Sequence, residues 1–379
     1  MPVAIDTSQL NVLHVLTLNG RNGEYGGPVR VARELCQELN SRGHKTHIFS
    51  GAILSSEPIL NTELTESFVY VKPITQKLKV SSLWSWKLIP SLKKLISNSD
   101  VIHIHFARDI VAFLAAFLAI NLRKPFITQT HGMILSDGRF STRVTDSLLT
   151  RPLINKSRLN LVLTDYEELA LKKIRIKSPS TKLPNGLAIR GEVSPRNNLI
   201  KRVAFCSRLD KRKGVDKFIY LAEQFKKSGL SFEIYGPDSG ELNFVKSEIE
   251  NKNISNILKY KGSLPSNEVQ NMLQEVDLLI LPSKDEPFPM VILESLAVGT
   301  QVLVMPSCGF ASQLRDYEAA FVATSEDQNG LLDSFQKFVD SGFELKSREA
   351  TRTFCRDKFG ISSVTDKLVE NYIKALFNG

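Results

Sequence analysis

Short apolar runs alternate with helix-patterned segments, and the alternation starts over halfway along the chain. Val12–Leu18 reads as a strand, the loop 19–27 follows, and a helix is expected over Pro28–Arg42. Lys45–Ser50, Phe68–Lys72, Val101–His105, Pro125–Thr130 and Asn160–Thr164 read as further strands. Several are apolar almost throughout, as parallel strands covered on both faces are. Arg202–Cys206 restarts the series, and Phe232–Tyr235, Ile257–Tyr260, Leu278–Leu281 and Gln301–Val304 continue it. Strands alternating with helices predict doubly wound α/β sheets. The chain is therefore expected to fold as two Rossmann-like doubly wound domains facing across a cleft. Residues 1–190 form the first, 191–198 the linker, 199–359 the second and 360–379 a final helix. Val364, Leu368, Tyr372 and Leu376 give that helix its spacing. A ligand site is expected between the domains, at the carboxyl ends of the strands.

At 379 residues the chain exceeds one ordinary core. It is 42% hydrophobic and 23% charged, which excludes a disordered or membrane-spanning class. Cys36, Cys206, Cys308 and Cys355 are scattered with no CxxC pair, against a zinc or redox motif and in keeping with a reducing compartment. The N-terminus lacks the pattern of a signal peptide. The apolar run Ile110–Ile120 falls short of the roughly 20 residues a bilayer needs and reads as a helix beside a sheet. A cytoplasmic protein is expected. Net charge is +9 and uneven. Residues 1–190 hold 25 Lys+Arg and 14 Asp+Glu, a net of +11, and residues 191–379 hold 24 and 26, a net of −2. That asymmetry points the first half at something anionic.

Three segments carry chemistry. Gly26 and Gly27 permit a tight turn and close approach by a ligand, and Pro28 suits a helix start. Such a start offers N–H groups and a positive dipole end to an anion, although Gly-Gly before a helix is also an ordinary turn. Arg208 follows a strand and Lys213 opens the next helix. A planar guanidinium and a mobile ammonium at one strand end suit a diphosphate; a solvated basic loop is the plainer alternative. Glu286 lies in a loop, and Glu294 about one and a half turns into a helix that starts near Pro289. Paired carboxylates suit sugar and ribose diols, and each alone is equally a helix-surface or dipole partner.

Together these segments resemble the retaining GT-B glycosyltransferases of family 4, the glycosyl transferases group 1. The resemblance runs over nearly the whole chain. It includes Gly26-Gly27 with Arg30-Val31-Ala32, Arg42-Gly43-His44, the run Val101–His105, and Thr130-His131-Gly132-Met133. It continues through the run Leu183–Gly186, Ser207-Arg208-Leu209, Lys213-Gly214, Leu281-Pro282-Ser283, and the Glu286–Glu294 spacing. Each piece is weak; their order and spacing together are specific.

The resemblance implies an acceptor domain first and a donor domain second, with the last helix crossing back to the first. Arg208 and Lys213 would bind the donor diphosphate and Glu294 the ribose. Glu286 would face the transferred sugar, with backbone at Phe288, Met290 and Val291 nearby. His131 would lie beside the reacting centre. The Gly26-Gly27 loop would close over the diphosphate or receive the acceptor, and Gly262 and Leu264 would flank the base. No cofactor or metal is expected, because the chain has no Asp-x-Asp and its cations can serve instead. Members usually carry glycine where this chain has Pro289, which removes an N–H and stiffens the loop.

The expected reaction is a retaining transfer of a hexose-type sugar from a UDP- or GDP-sugar to a saccharide or lipid-linked acceptor in bacterial envelope polysaccharide synthesis. A sugar-nucleotide epimerase, a phosphorylase or a non-catalytic binding module are the alternatives. No nucleic-acid partner is expected, since no helix-turn-helix or aromatic RNA-binding signature occurs. In the segment 77–94, Trp84 and Trp86 among lysines suit peripheral contact with the inner face of the cytoplasmic membrane, or equally an amphipathic helix over the sheet.

Overall fold

The structure, a computed structural model, describes residues 8–20, 26–75, 79–135, 138–189, 191, 201–315, 317, 320–340 and 348–377. The chain divides into two compact units, Met1–Ala188 with Ile361–Gly379, and Ile189–Gly360. Most of the expected linker 191–198 lies outside the described residues.

The first unit is built on a seven-stranded sheet. Its strand order is Glu66–Tyr70, Lys45–Ala52, Asn11–Asn19, Val101–His105, Phe126–Gln129, Leu159–Val162, Ser180–Lys182. Every pairing is parallel. Both faces are covered, as burial without a break along Val101–His105 shows, with Ile102 and Ile104 on one face and Val101, His103 and His105 on the other. The second unit holds six parallel strands, ordered Leu258–Gly262, Ser231–Tyr235, Arg202–Cys206, Leu278–Leu281, Gln301–Val304, Ala320–Val322. Phe218, Phe232, Phe335 and Phe225 interlock at its core, with Phe225 and Phe335 edge to face at 4.8 Å. Both sheets are doubly wound α/β sheets. The edge strands do not declare themselves in the sequence: Ser180–Lys182 has no apolar residue, and Ala320–Val322 is apolar but only three residues long.

Three expectations change. The first helix runs Gly26–Ser41, so Gly26 and Gly27 belong to its opening turn rather than to a loop, while 21–25 lie outside the described residues. Pro28 is tolerated there because first-turn N–H groups have no intrahelical acceptor. The helix expected to open at Pro289 runs Met290–Ala297, with Pro289 as its N-cap at φ −75°. The two tryptophans part company. Trp84 packs against the core from a short antiparallel pairing with Lys72, whereas Trp86 is 70% exposed. Lys77 lies outside the described residues.

The apolar run is the helix Ile110–Asn121, folded against the sheet. No helix among the described residues is long and apolar enough to cross a membrane. The final helix, Ile361–Phe377, packs on Gly26–Ser41 and on the strands Val101–His105 and Phe126–Gln129. Arg42 pins it through Asp366 at 2.5 Å and the Ser362 carbonyl at 2.8 Å.

Asp109 caps Ile110–Asn121 by accepting from the Ala112 N–H at 3.0 Å and from the Thr17 hydroxyl at 2.7 Å. Burial pushes its carboxyl from 3.8 up to about 6, against those hydrogen bonds. A raised folded-state value means the folded chain holds the proton longer than the unfolded chain, so stability falls as pH rises through that window. An Asp109→Asn variant keeps the cap oxygen and removes the titration. Its stability relative to wild type is expected to climb between about pH 4 and pH 6, read by urea unfolding at each pH.

Candidate functional site

Parallel strands end at one edge of their sheet, and the candidate residues follow those ends. In the second unit, Arg202–Cys206 ends at Ser207, and Arg208 stands exposed just beyond. Ser231–Tyr235 ends at Gly236, with φ 144°. A Cβ there would sit 1.8 Å from the Ser207 carbonyl oxygen, so glycine lets the two strand-end turns touch. Gly236 donates to the Gly262 carbonyl at 2.9 Å, bringing the Gly262–Leu264 backbone to the same edge. This contact was not among the expectations, although the Gly236-Pro237 dipeptide is a turn signal in the sequence.

After Arg208 the chain makes a 3-10 turn, Lys211–Lys213, whose start Asp210 caps by accepting from the Arg212 N–H at 2.9 Å. Gly214 closes it at φ 72°, where a Cβ would meet the Pro282 carbonyl oxygen at 2.2 Å. That close approach seats Lys213 against the loop after Leu278–Leu281. Lys213 is buried, and its Nζ lies 2.5 Å from Oε2 of Glu286. The basic and acidic candidates are thus one ion pair. A buried ammonium needs such a partner, and losing either member strands the other. Arg208 has no ion-pair partner among the described residues.

The Glu286 loop is fastened from two sides. The Gly309 N–H donates to its carbonyl at 2.8 Å, and the Lys284 N–H donates to the Arg212 carbonyl at 2.9 Å. Asp285 takes φ 51°, an uncommon value off glycine that aspartate tolerates better than most residues. Its N–H donates to the Ser307 hydroxyl at 2.9 Å, which donates in turn to Glu326 at 2.9 Å. Ser307 and Glu326 left no signal in the sequence. The Phe288 side chain turns away and stacks on Phe310 at 4.0 Å, so only its backbone is available to a ligand. Met290 and Val291 open a helix with no side-chain cap, and the dipole at such a start favours an anion. Glu294 is buried in that helix, near enough to Cys206 to raise its thiol together with burial. Burial, acting first, pushes all four thiols up to about 12, so none offers a ready thiolate.

In the first unit, His131 follows the strand Phe126–Gln129. Its φ is 48° and that of Gly132 is 72°, with the Met133 N–H donating to the Thr130 carbonyl at 2.8 Å. Two positive φ values make a type I′-like turn. Glu167 holds it. The buried carboxylate accepts from the Thr130 hydroxyl, from the Gly132 N–H at 2.6 Å and from the Leu163 N–H at 2.6 Å. Arg108 adds a brace, bonding Asp146 at 2.7 and 2.9 Å and the Met133 carbonyl at 3.2 Å. Glu167 looked like an ordinary first-turn helix acid in sequence; its role depends on where two strand ends meet.

His131 is paired through Nε2 with His105 at 2.7 Å, and its imidazole is driven down to about 3 by burial, hence neutral. Among the described residues, His14, His103 and His105 are the one group whose nitrogens lie close enough together, within 4.8 Å, to hold a metal. Gly27 is exposed, with open space where a Cβ would go, so nothing there demands glycine.

Comparison with known proteins bears on both halves. Residues 25–189 match Glycosyltransferase Family 4, and residues 192–355 match Glycosyl transferases group 1. A 41.2 kDa protein in the cps region of Klebsiella pneumoniae is 24% identical over 77% of this chain and 84% of its own length. The putative colanic acid biosynthesis glycosyltransferase WcaL of Salmonella typhimurium is 26% identical over 40% of this chain and 39% of its own. Among solved structures, Anabaena HepE in complex with UDP and glucose matches at a TM-score of 0.74, 17% identical, covering 96% of this chain and 99% of that one. Sucrose-phosphate synthase of Thermosynechococcus elongatus matches at 0.77, 14% identical, covering 98% and 100%. The fold is the GT-B fold.

Replacing Glu167 with alanine would leave the Gly132 and Leu163 N–H groups without their acceptor. Each such buried loss costs about 1–3 kcal/mol. Glu167→Ala is expected to lower the urea midpoint and to speed hydrogen exchange at the Gly132 amide, while exchange in the second unit stays unchanged.

Proposed function

We propose, starting from a chain that belongs to the glycosyl transferases group 1 and is a hexosyltransferase, that it moves a hexose-type sugar from a UDP- or GDP-sugar to a saccharide or lipid-linked acceptor. The matches to WcaL, to a protein in a cps region and to the amylovoran biosynthesis glycosyltransferase AmsK of Erwinia amylovora support a place in bacterial envelope polysaccharide synthesis. The likeness to a protein solved with UDP and glucose supports a nucleotide-sugar donor.

The observation that carries the reading is the Lys213–Glu286 ion pair at the strand edge where Arg208 stands exposed. It fixes the buried Lys213 side chain at that edge before any ligand arrives. A donor diphosphate would then draw on Arg208, on Lys213 and on the uncapped start of Met290–Ala297. Glu294 would take the ribose and Glu286 the sugar hydroxyls. In the retaining route, the bond from the anomeric carbon to the diphosphate oxygen breaks. The acceptor oxygen bonds that carbon on the same face, and the acceptor proton passes to the diphosphate. Cationic side chains there stabilise the leaving charge as it develops, which is work a metal does elsewhere.

Glu286→Gln keeps the shape and removes the charge. It is expected to bind nucleotide diphosphate within a few-fold of wild type and to lose turnover by about 100-fold or more, the scale of one lost charged contact. A panel of UDP-, GDP- and ADP-sugars with mass spectrometry of products tests the assignment. Intact turnover in the variant would remove Glu286 from the sugar, and an inverted anomeric signal by NMR would remove the retaining route.

The first unit also supports peripheral contact with an anionic membrane surface. All exposed large hydrophobics among the described residues belong to that unit, except Phe244. Phe140, Val144 and Leu148 repeat every fourth residue along one helical segment, beside exposed Arg143. The first 190 residues also carry the net charge of +11. Apolar and basic groups on one surface suit an anionic interface. Binding to vesicles containing anionic lipid at low salt is expected, weakened by a Phe140→Ser/Leu148→Ser pair. No association in a sedimentation assay would refute it.

A further inference from the structure

Five side chains of the first unit form a single hydrogen-bonded line that ends on His131. Strand register builds it. His14 lies opposite His103 on the neighbouring strand, and His105 lies opposite Gln129 on the next. His103 and His105 alternate to the same face, and His131 is two residues beyond Gln129. The final helix covers that face and lays Tyr372 upon it. The Tyr372 hydroxyl is 2.9 Å from Nδ1 of His103 and 3.2 Å from Nε2 of His14. His14 Nδ1 is 3.1 Å from Nε2 of His105, and His105 Nδ1 is 2.7 Å from Nε2 of His131. His103, His105 and His14 are also ring neighbours, with His105 stacked on His131 at 5.0 Å.

We propose that Tyr372, His14 and His105 form a tautomer relay that decides which nitrogen of His131 carries its proton. Burial keeps all four imidazoles neutral and holds the Tyr372 phenol protonated. A neutral imidazole has one donor and one acceptor nitrogen. His14 and His105 each spend both nitrogens within the line, so their protons must all point the same way. Reversing one bond reverses every bond.

Two directions satisfy the line. If Tyr372 donates to His14, every ring, His131 included, carries its proton on Nδ1; if His14 donates to Tyr372, every ring carries it on Nε2. Nε2 of His103 lies outside the line, and the buried Gln129 carboxamide on the neighbouring strand, itself unbonded, can accept from it or donate to it, so both directions can be completed there. In the first direction His131 presents an N–H, and in the second a lone pair, from a turn braced by Glu167.

The mechanistic consequence rests on the proposed placement of His131 beside the transferred sugar. Tyr372, His14 and His105 are positioning residues: His131 offers the sugar one fixed partner, donor or acceptor, only while the line keeps its direction. The three rings could instead gather around a cation, but of their six nitrogens only Nε2 of His103 is not already within hydrogen-bond reach of a neighbouring ring or Tyr372.

The test uses the full chain labelled with ¹⁵N-histidine, free of ligand, with two-bond ¹H–¹⁵N correlations reading each tautomer. All four rings are expected to carry the proton on the same nitrogen, all on Nδ1 or all on Nε2. A mixed set would overturn the relay, and stoichiometric zinc in the purified protein would replace it. Tyr372→Phe removes the hydroxyl and keeps the ring. It should shift His131 away from its wild-type tautomer and lower kcat roughly tenfold, about one hydrogen bond, with the donor KM unchanged. Unmoved tautomers in this variant would end the relay. Moved tautomers with unmoved kcat would leave the relay standing and remove His131 from the sugar.

Discussion

In a wholly parallel sheet every strand finishes at the same edge, so chain segments far apart in sequence deliver their turns to one place. This chain uses that constraint in each of its two units. In the second, the ends of Arg202–Cys206, Ser231–Tyr235 and Leu278–Leu281 meet closely enough that Gly214 and Gly236 have no room for a Cβ. In the first, the ends of Phe126–Gln129 and Leu159–Val162 meet through the Glu167 carboxylate. Strained backbone at Asp285 and His131 survives because these neighbours hold it from several sides.

The charges at the second edge are unequal in kind. Lys213 is buried and already matched by Glu286; Arg208 is exposed with no ion-pair partner among the described residues. The buried pair depends on its own match, since losing either member strands the other charge. The exposed guanidinium keeps its planar fork of donors in solvent. At the first edge the histidines are all neutral, and what matters is hydrogen-bond direction rather than charge.

Much of the fold was legible because apolar patterning is a local property. Both strand series and the final helix stand within a few residues of their expected bounds. The misreadings were local conflicts with tertiary context. Gly26 and Gly27 look like loop residues, yet a helix start accepts them. Ser180–Lys182 and Ala320–Val322 are strands only because a neighbouring strand offers them hydrogen bonds. Trp84 and Trp86 share a segment, and packing sends one to the core and the other to solvent.

Residue types and spacing by themselves determined the two-sheet architecture, the basic first half, and the candidates Arg208, Lys213, Glu286 and Glu294; His131 became a candidate only through the family resemblance. These follow from what each stretch of chain can bury and what each side chain can bond. Only the tertiary structure decided that Lys213 and Glu286 are partners, that Glu167 and Ser307 brace the turns, and that a line of histidines ends on His131. Those contacts join residues as far apart as His14 and Tyr372, and strand register, which no local pattern encodes, brings them within hydrogen-bond reach.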